Sequence, residues 1–174
     1  IKKDRTLTGE KVEQLLIDAT EQPIQRPKKA KQRKSNYSGK KKRHTHKVEI
    51  AVSKDGRIAN ISRVFPGKVH DMKIRRNSDK LPPSVDKYCD SGYQGLQNEA
   101  SNVKLPYKKP KGGKFTTGQK KHNKDISQIR VYAEHKFAQL KKFRILGETY
   151  RNFGKKANLR FNLVAGIVNL QNGF

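Results

Sequence analysis

An α/β domain is the fold class this sequence predicts. Short strand-like runs fill its first half, two helical patterns fill its last third, and 174 residues suit one unit with a sizeable core. Mean hydropathy is low, at −0.99. The apolar residues nevertheless concentrate near 12–17, 48–65 and 159–170, which implies a real core interrupted by strongly polar insertions.

The first element is "KVEQLLID" (11–18), read as a strand ending in Asp18 and stopped by the two prolines of "ATEQPIQRP". Residues 25–47 carry eleven Lys/Arg and no acid, with Pro27 and Gly39 as breakers, and are expected to form a basic loop. In "KVEIAV" (47–52) Val48, Ile50 and Val52 share one face, and Asp55-Gly56 before "RIANISRVF" (57–65) signals a hairpin. "PGKVHDMKIRRNS" (66–78) reads as a turn into a short helix; His70 and Asp71 are candidates to support a site, and Asp71 is favoured as the helix cap. "SVDKYCD" (84–90), entered through Pro82-Pro83, is a second strand ending in an acid, Asp90.

Residues 104–124 hold eight lysines and no acid, a second basic loop. "DISQIRVYAEHKFAQLKKFRILG" (125–147) is the clearest helix, with Ile126, Ile129, Ala133, Phe137 and Leu140 on one stripe, a capping box at Asp125 and Gln128, and Gly147 as its stop. A last apolar helix covers "NLRFNLVAGIVNLQNG" (158–173).

With 41 Lys and Arg against 15 Asp and Glu, the net charge is +26. That field needs a polyanion. No run approaches ~18 apolar residues, so nucleic acid is the expected partner and a membrane is not. Lys40, Lys41, Lys42, Arg43 and His44 in the first loop, and Lys108 and Lys109 in the second, are the expected DNA contacts. His44-Thr45-His46 lacks a third ligand, so these histidines are read as structural or phosphate-facing. The single cysteine, Cys89, excludes an intrachain disulfide and is read as a core residue. "PKGGK" (110–114) lacks the strand and helix that a phosphate-binding loop needs, so no nucleotide cofactor is expected. Tyr93, after Gly92, suits base stacking and core packing equally.

Three acids stand out in so basic a chain. Asp18 and Asp90 each end a strand, and adjacent parallel strands place their ends about 5 Å apart. On the 125–147 helix, at 100° per residue from Ile126, Arg130, Lys141 and Glu134 fall near about 40°, 60° and 80°, on the rim of the buried face. Converging carboxylates beside a phosphodiester-binding surface suit Mg²⁺, with Mn²⁺ able to substitute. Two ions ~3.5–4 Å apart would activate a water or 3′-hydroxyl and stabilise the leaving oxygen. The acids repel one another until a metal or a Lys/Arg neutralises them.

"DATEQPIQRP" (18–27), "YSGKKKRHTHK" (37–47), "PGKVHD" (66–71), "DSGYQG" (90–95), "KKPKG" (108–112), "RVYAEHKFAQLKKFRIL" (130–146) and "YRN" (150–152) together resemble the DDE transposases of bacterial insertion sequences, in the group numbered four and five, related to the eukaryotic Harbinger transposases. The resemblance implies an RNase H-like fold, a mixed five-stranded sheet flanked by helices, with Asp18, Asp90 and Glu134 as catalytic metal ligands. Arg130 and Lys141 match the family's helix signature and would grip phosphates; Ser127 stands where that signature has Tyr. It further implies cleavage at transposon terminal inverted repeats, strand transfer of the 3′-hydroxyl into target DNA, a homodimer or higher homo-oligomer, a bacterial cytoplasmic or nucleoid location, and a DNA-binding domain upstream of Ile1. Two alternatives stay open: an inactive or domesticated nucleic-acid-binding protein, and an RNase H-like nuclease without strand transfer.

Overall fold

The computed structural model describes residues 12–152 and 156–174, so Lys11 of the first expected strand lies outside the described residues. Strand β1 (Gln14–Pro23) is followed by helix α1 (Ala30–Asn36), the short strand β2 (Tyr37–Ser38) and the long strand β3 (Arg43–Ser53). After β4 (Ile58–Ile61) and β5 (Phe65–Pro66), helix α2 (Asp71–Arg76) leads to β6 (Asp86–Cys89). Two 3₁₀ turns precede β7 (Val103–Lys104), and the remainder is helical: α3 (Thr117–Lys142), α4 (Arg144–Gly147) and α5 (Ala157–Gln171).

Strand β1 lies at the centre of the sheet. It pairs antiparallel with β3 from Leu15↔Ser53 to Pro23↔Thr45, and parallel with β6 from Gln14↔Asp86 to Ile17↔Cys89. β7 continues the parallel side, while β2, β5 and β4 pair in succession with β3. The path β4-β3-β1-β6-β7 is therefore a mixed five-stranded sheet with helices against it, the RNase H-like arrangement expected from the resemblance. Gly56 closes the β3–β4 hairpin at φ +91°, a left-handed conformation that a side chain would strain.

The period of two along the strands gives the sheet two buried faces. Leu16, Val48, Ile50 and Val52 pack against Ala133, Phe137 and Leu140 of α3 and Phe161, Val164 and Val168 of α5. Leu15, Ile17, Ala51 and Cys89 face the other way, onto Met72, Val85, Tyr93 and Leu96.

Several expectations need correction. β1 does not stop at Asp18, because β3 supplies antiparallel partners as far as Thr45 and carries the strand on to Pro23. The basic run 25–47 is not a single loop: it forms α1, β2 and the start of β3. α3 begins at Thr117, where Thr116 and Gln119 make the capping box, so residues 117–124 of the second basic stretch are helical and Asp125 lies inside the helix. The same helix ends at Lys142, capped by Phe143, and Gly147 instead ends α4. His70, not Asp71, caps α2: its ring nitrogen accepts from the Met72 N–H at 3.4 Å. Tyr93 is fully buried, which removes it from any stacking role.

The sheet face away from α3 carries a layer of paired charges. Thr45 donates to Glu21 at 2.7 Å, and Lys47 sits 3.7 Å from Glu21 and 3.0 Å from Asp71. Beside them the buried Glu49 is ion-paired with Arg75, which also donates to the Asp79 carbonyl. Gly92 brings the segment after β6 against this layer; a Cβ there would lie 2.7 Å from the Asp71 carboxylate, which would have to swing aside. Burial pushes the Glu49 carboxyl up to about 7, with Asp71 and Asp18 adding to the rise and Arg75 and Tyr93 opposing it.

Two outcomes follow from this packing. Phe137→Ala should cost ~3–5 kcal/mol of unfolding free energy in urea, because it empties a site between the sheet and α5. Glu49 binds its proton more tightly folded than unfolded, so its contribution to stability is full below its ordinary value of 4.5 and is lost as pH rises through about 7. The stability of the wild type relative to Glu49→Gln should therefore fall across that window; a difference that stays constant with pH refutes the assignment.

Candidate active site

β1 and β6 part immediately after the pair Ile17↔Cys89. The next residue on each strand is an acid, and by the strand period both Asp18 and Asp90 stand on the face that α3 covers. Arg130 of α3 reaches both: its Nη2 lies 3.1 Å from Asp18 Oδ2 and 3.7 Å from Asp90 Oδ2. The remaining oxygens meet the backbone, with Asp18 accepting from the Ala19 N–H at 2.7 Å and Asp90 from the Ser91 N–H at the start of the first 3₁₀ turn.

One guanidinium serves two carboxylates in unequal surroundings. Burial raises the Asp18 pKa, with Arg130 and the Ala19 bond opposing and Asp90 adding a little to the rise. At Asp90 burial also favours the neutral acid, but hydrogen bonding from Ser91, the Arg130 charge and the more distant Lys40 outweigh it and leave the pKa lowered. Asp90 is thus the more firmly ionised of the two. The Arg130 Nε is buried and has no partner among the described residues, so the guanidinium keeps one unsatisfied donor at the site.

Glu134, expected on the rim of the buried face, is exposed and forms no ion pair with a described residue. Ala133 and Phe137 set the rotation of α3 by packing on the sheet, and that rotation turns Glu134 to solvent. Among the described residues no group of three or more His, Cys, Asp or Glu side chains is placed to hold a metal ion. The structure therefore brings together Asp18, Asp90 and Arg130, with Glu134 one helical turn beyond Arg130.

The expected DNA contacts divide in two. Lys40, Lys41, Lys42 and Arg43 are exposed around the β2–β3 turn; the Lys40 charge acts weakly on Asp90 through space, and that of Lys41 on Lys141. Lys141 is held below the usual lysine range by partial desolvation, then by Lys41, with Glu21 opposing. His44 packs edge-on to Tyr37 at 5.6 Å, and His46 packs near Tyr150 at 6.1 Å. Lys108 and Lys109 are exposed on a segment tied to α3 through Tyr107 and Asn123, and no contact among the described residues links them to Asp18 or Asp90. His70, Asp71 and Tyr93 lie with the second sheet face, behind the acids. No helix of the described residues is long and apolar enough to cross a membrane.

Arg130 was legible on the rim of the helix, but not its role here, which is to bridge two strand acids 112 and 40 residues away in the chain. Glu49 and Arg75 carry no sequence signal, because each sits in an ordinary element and only the fold joins them.

The family described as DDE superfamily endonuclease matches residues 17–169, from the position before Asp18 into the last turn of α5. Among curated proteins, the "Probable transposase for insertion sequence element IS702" of Microchaete diplosiphon is 36% identical over 159 residues, covering 90% of this chain. The chain spans 56% of that relative's length. No solved structure matches it. A match that takes in both strand acids, Arg130 and nearly every element of the fold leaves one assignment: the chain belongs to the DDE superfamily of endonucleases, as a relative of insertion-sequence transposases.

Proposed function

We propose that this chain is the catalytic part of a transposase that cuts phosphodiester bonds at transposon ends and transfers the freed 3′-hydroxyl into target DNA. The observation that carries the reading is the convergence of Asp18 and Asp90 on a single cation at the end of the parallel strand pair. Two hard carboxylates suit Mg²⁺, which is commonly held by one or two carboxylates together with substrate phosphate. Arg130 at 3.1 and 3.7 Å shows that one positive centre satisfies both acids. Glu134 is the proposed third ligand, since residues four apart on a helix lie about 5–6 Å from each other on one side.

When bound there, Mg²⁺, with Mn²⁺ as a substitute and two ions per site, would supply the polarisation that activates the attacking oxygen and the charge that stabilises the leaving one. The residues of the chain do the rest. Arg130, with its unpaired Nε, offers a guanidinium for a phosphate next to the scissile bond. Lys40, whose charge acts on Asp90, together with Lys41 and Lys141, holds flanking phosphates by charge. Terminal-repeat recognition by a further domain, and pairing of two ends by a homodimer, belong to the same proposal.

Asp90→Asn should abolish Mg²⁺- or Mn²⁺-dependent nicking of DNA while leaving DNA affinity within about twofold, because it removes one charge from a chain of +26. Products joined to a second DNA distinguish a transposase from a nuclease that only cuts. Intact DNA binding without nicking by the wild type would favour the non-catalytic reading, to which the exposure of Glu134 lends some support.

A further inference from the structure

A cavity of about 780 Å³ opens where β1 ends, and Arg43, Arg144, Arg151 and Arg160 line it together with Tyr150 and Asn152. Its one acid, Glu148, is paired with Arg144 at 2.7 Å. Arg43, Arg151 and Arg160 are left without an acidic partner among the described residues, and the Arg160 guanidinium lies over the Tyr150 ring at 4.8 Å.

The cavity is built on fixed backbone. Tyr150 donates its N–H to Pro23 O at 2.8 Å and accepts from the Gln25 N–H at 2.9 Å, extending the sheet past the end of β1. Gln22 donates its side-chain amide to the Ile145 and Glu148 carbonyls at 2.7 and 3.3 Å, which ties the α4 segment to the same strand. Three arginines without an acidic partner around one cavity, over a hydrogen-bonded backbone, are a binding arrangement for phosphate, and a volume of this size lies within the range of ligand pockets.

Its position sets the ligand. Pro23 is five residues beyond Asp18 on β1, or about 16 Å at the strand rise. Consecutive phosphates of one strand lie about 6–7 Å apart through space, the ~3.4 Å repeat being only the rise along the duplex axis, so that distance is about two to three nucleotides.

We propose that this four-arginine cavity is a phosphate subsite for a DNA strand running from the Asp18–Asp90 centre, taking the backbone about two to three nucleotides from the scissile phosphate. The inference rests on the DNA-cutting reading above and adds to it a second place where the strand is held.

The test is the salt dependence of duplex-DNA binding by the whole chain. Arg43→Gln with Arg151→Gln should lower the slope of log affinity against log salt by about 1.8, or ~0.9 for each lost phosphate contact. Arg43→Lys with Arg151→Lys should restore most of it. Lys54→Gln with Lys80→Gln, which removes the same charge from exposed positions away from the cavity, should leave the slope unchanged. A second measurement needs no variant: neutral methylphosphonates scanned along one strand should weaken wild-type binding at a position about two to three nucleotides from the nick. Equal slopes for all variants, equal losses for both glutamine pairs, or a flat scan would overturn the subsite while leaving the nuclease reading standing. A wild-type chain that does not bind DNA would overturn both.

Discussion

The parallel register that sets Ile17 beside Cys89 is the constraint on which the site depends. A slip of one residue between β1 and β6 would turn Asp90 to the opposite face and separate it from Asp18. The register is held by burial and by hydrogen bonds on the face away from α3. Leu15, Ile17 and Cys89 are fully buried on one face, and Lys87, also buried, donates to the Val85, Ser101 and Pro83 carbonyls at 2.7, 3.1 and 3.4 Å. Desolvation lowers the Lys87 pKa, but its three carbonyl partners keep the ammonium satisfied and join the entry of β6 to the approach of β7. A cation spent inside so basic a chain thus serves the alignment of two acids.

Charge is distributed unevenly across the sheet. Asp18 and Asp90 share Arg130 on one face; Glu21, Glu49 and Asp71 meet Lys47 and Arg75 on the other. Glu49 pairs in register with Ala19, one residue from Asp18, so the two sets are separated only by the thickness of the strand. Buried pairs contribute little net stability when intact, and lose about 3–5 kcal/mol when one partner is removed. Their effect here is positional: they anchor β1 and β3 to α2 where β1 carries the site acid.

Much of this was legible from residues alone. The alternation of Val48, Ile50 and Val52 located β3, the stripe from Ile126 to Leu140 located the buried face of α3, and two acids ending apolar runs pointed to the paired carboxylates. The failures share one cause, the energy supplied by distant partners. Pro23 could not end β1 earlier while β3 offered hydrogen bonds to Thr45, and a Thr116–Gln119 capping box moved the start of α3 away from Asp125. Glu134 shows the finer limit. An angle on a helical wheel places a residue near a face, but only the packing of Ala133 and Phe137 decides which side chains on that rim turn inward.

That rotation also explains why Arg130 and Glu134, one turn apart, stand in different environments. A guanidinium on three methylenes can reach from the rim to the strand ends while its stem stays on the helix surface, whereas a carboxylate on two methylenes stays where the helix points it. Without substrate the long side chain neutralises the acids, and the repulsion between Asp18 and Asp90 is met from within the chain. In the proposed reading a DNA phosphate and the two carboxylates compete for this one guanidinium. A phosphate that draws Arg130 away leaves Asp18 and Asp90 facing each other without their shared cation, which strengthens their demand for another. Substrate and divalent cation would then favour each other's binding through a single side chain, with Arg130 as the element that couples them.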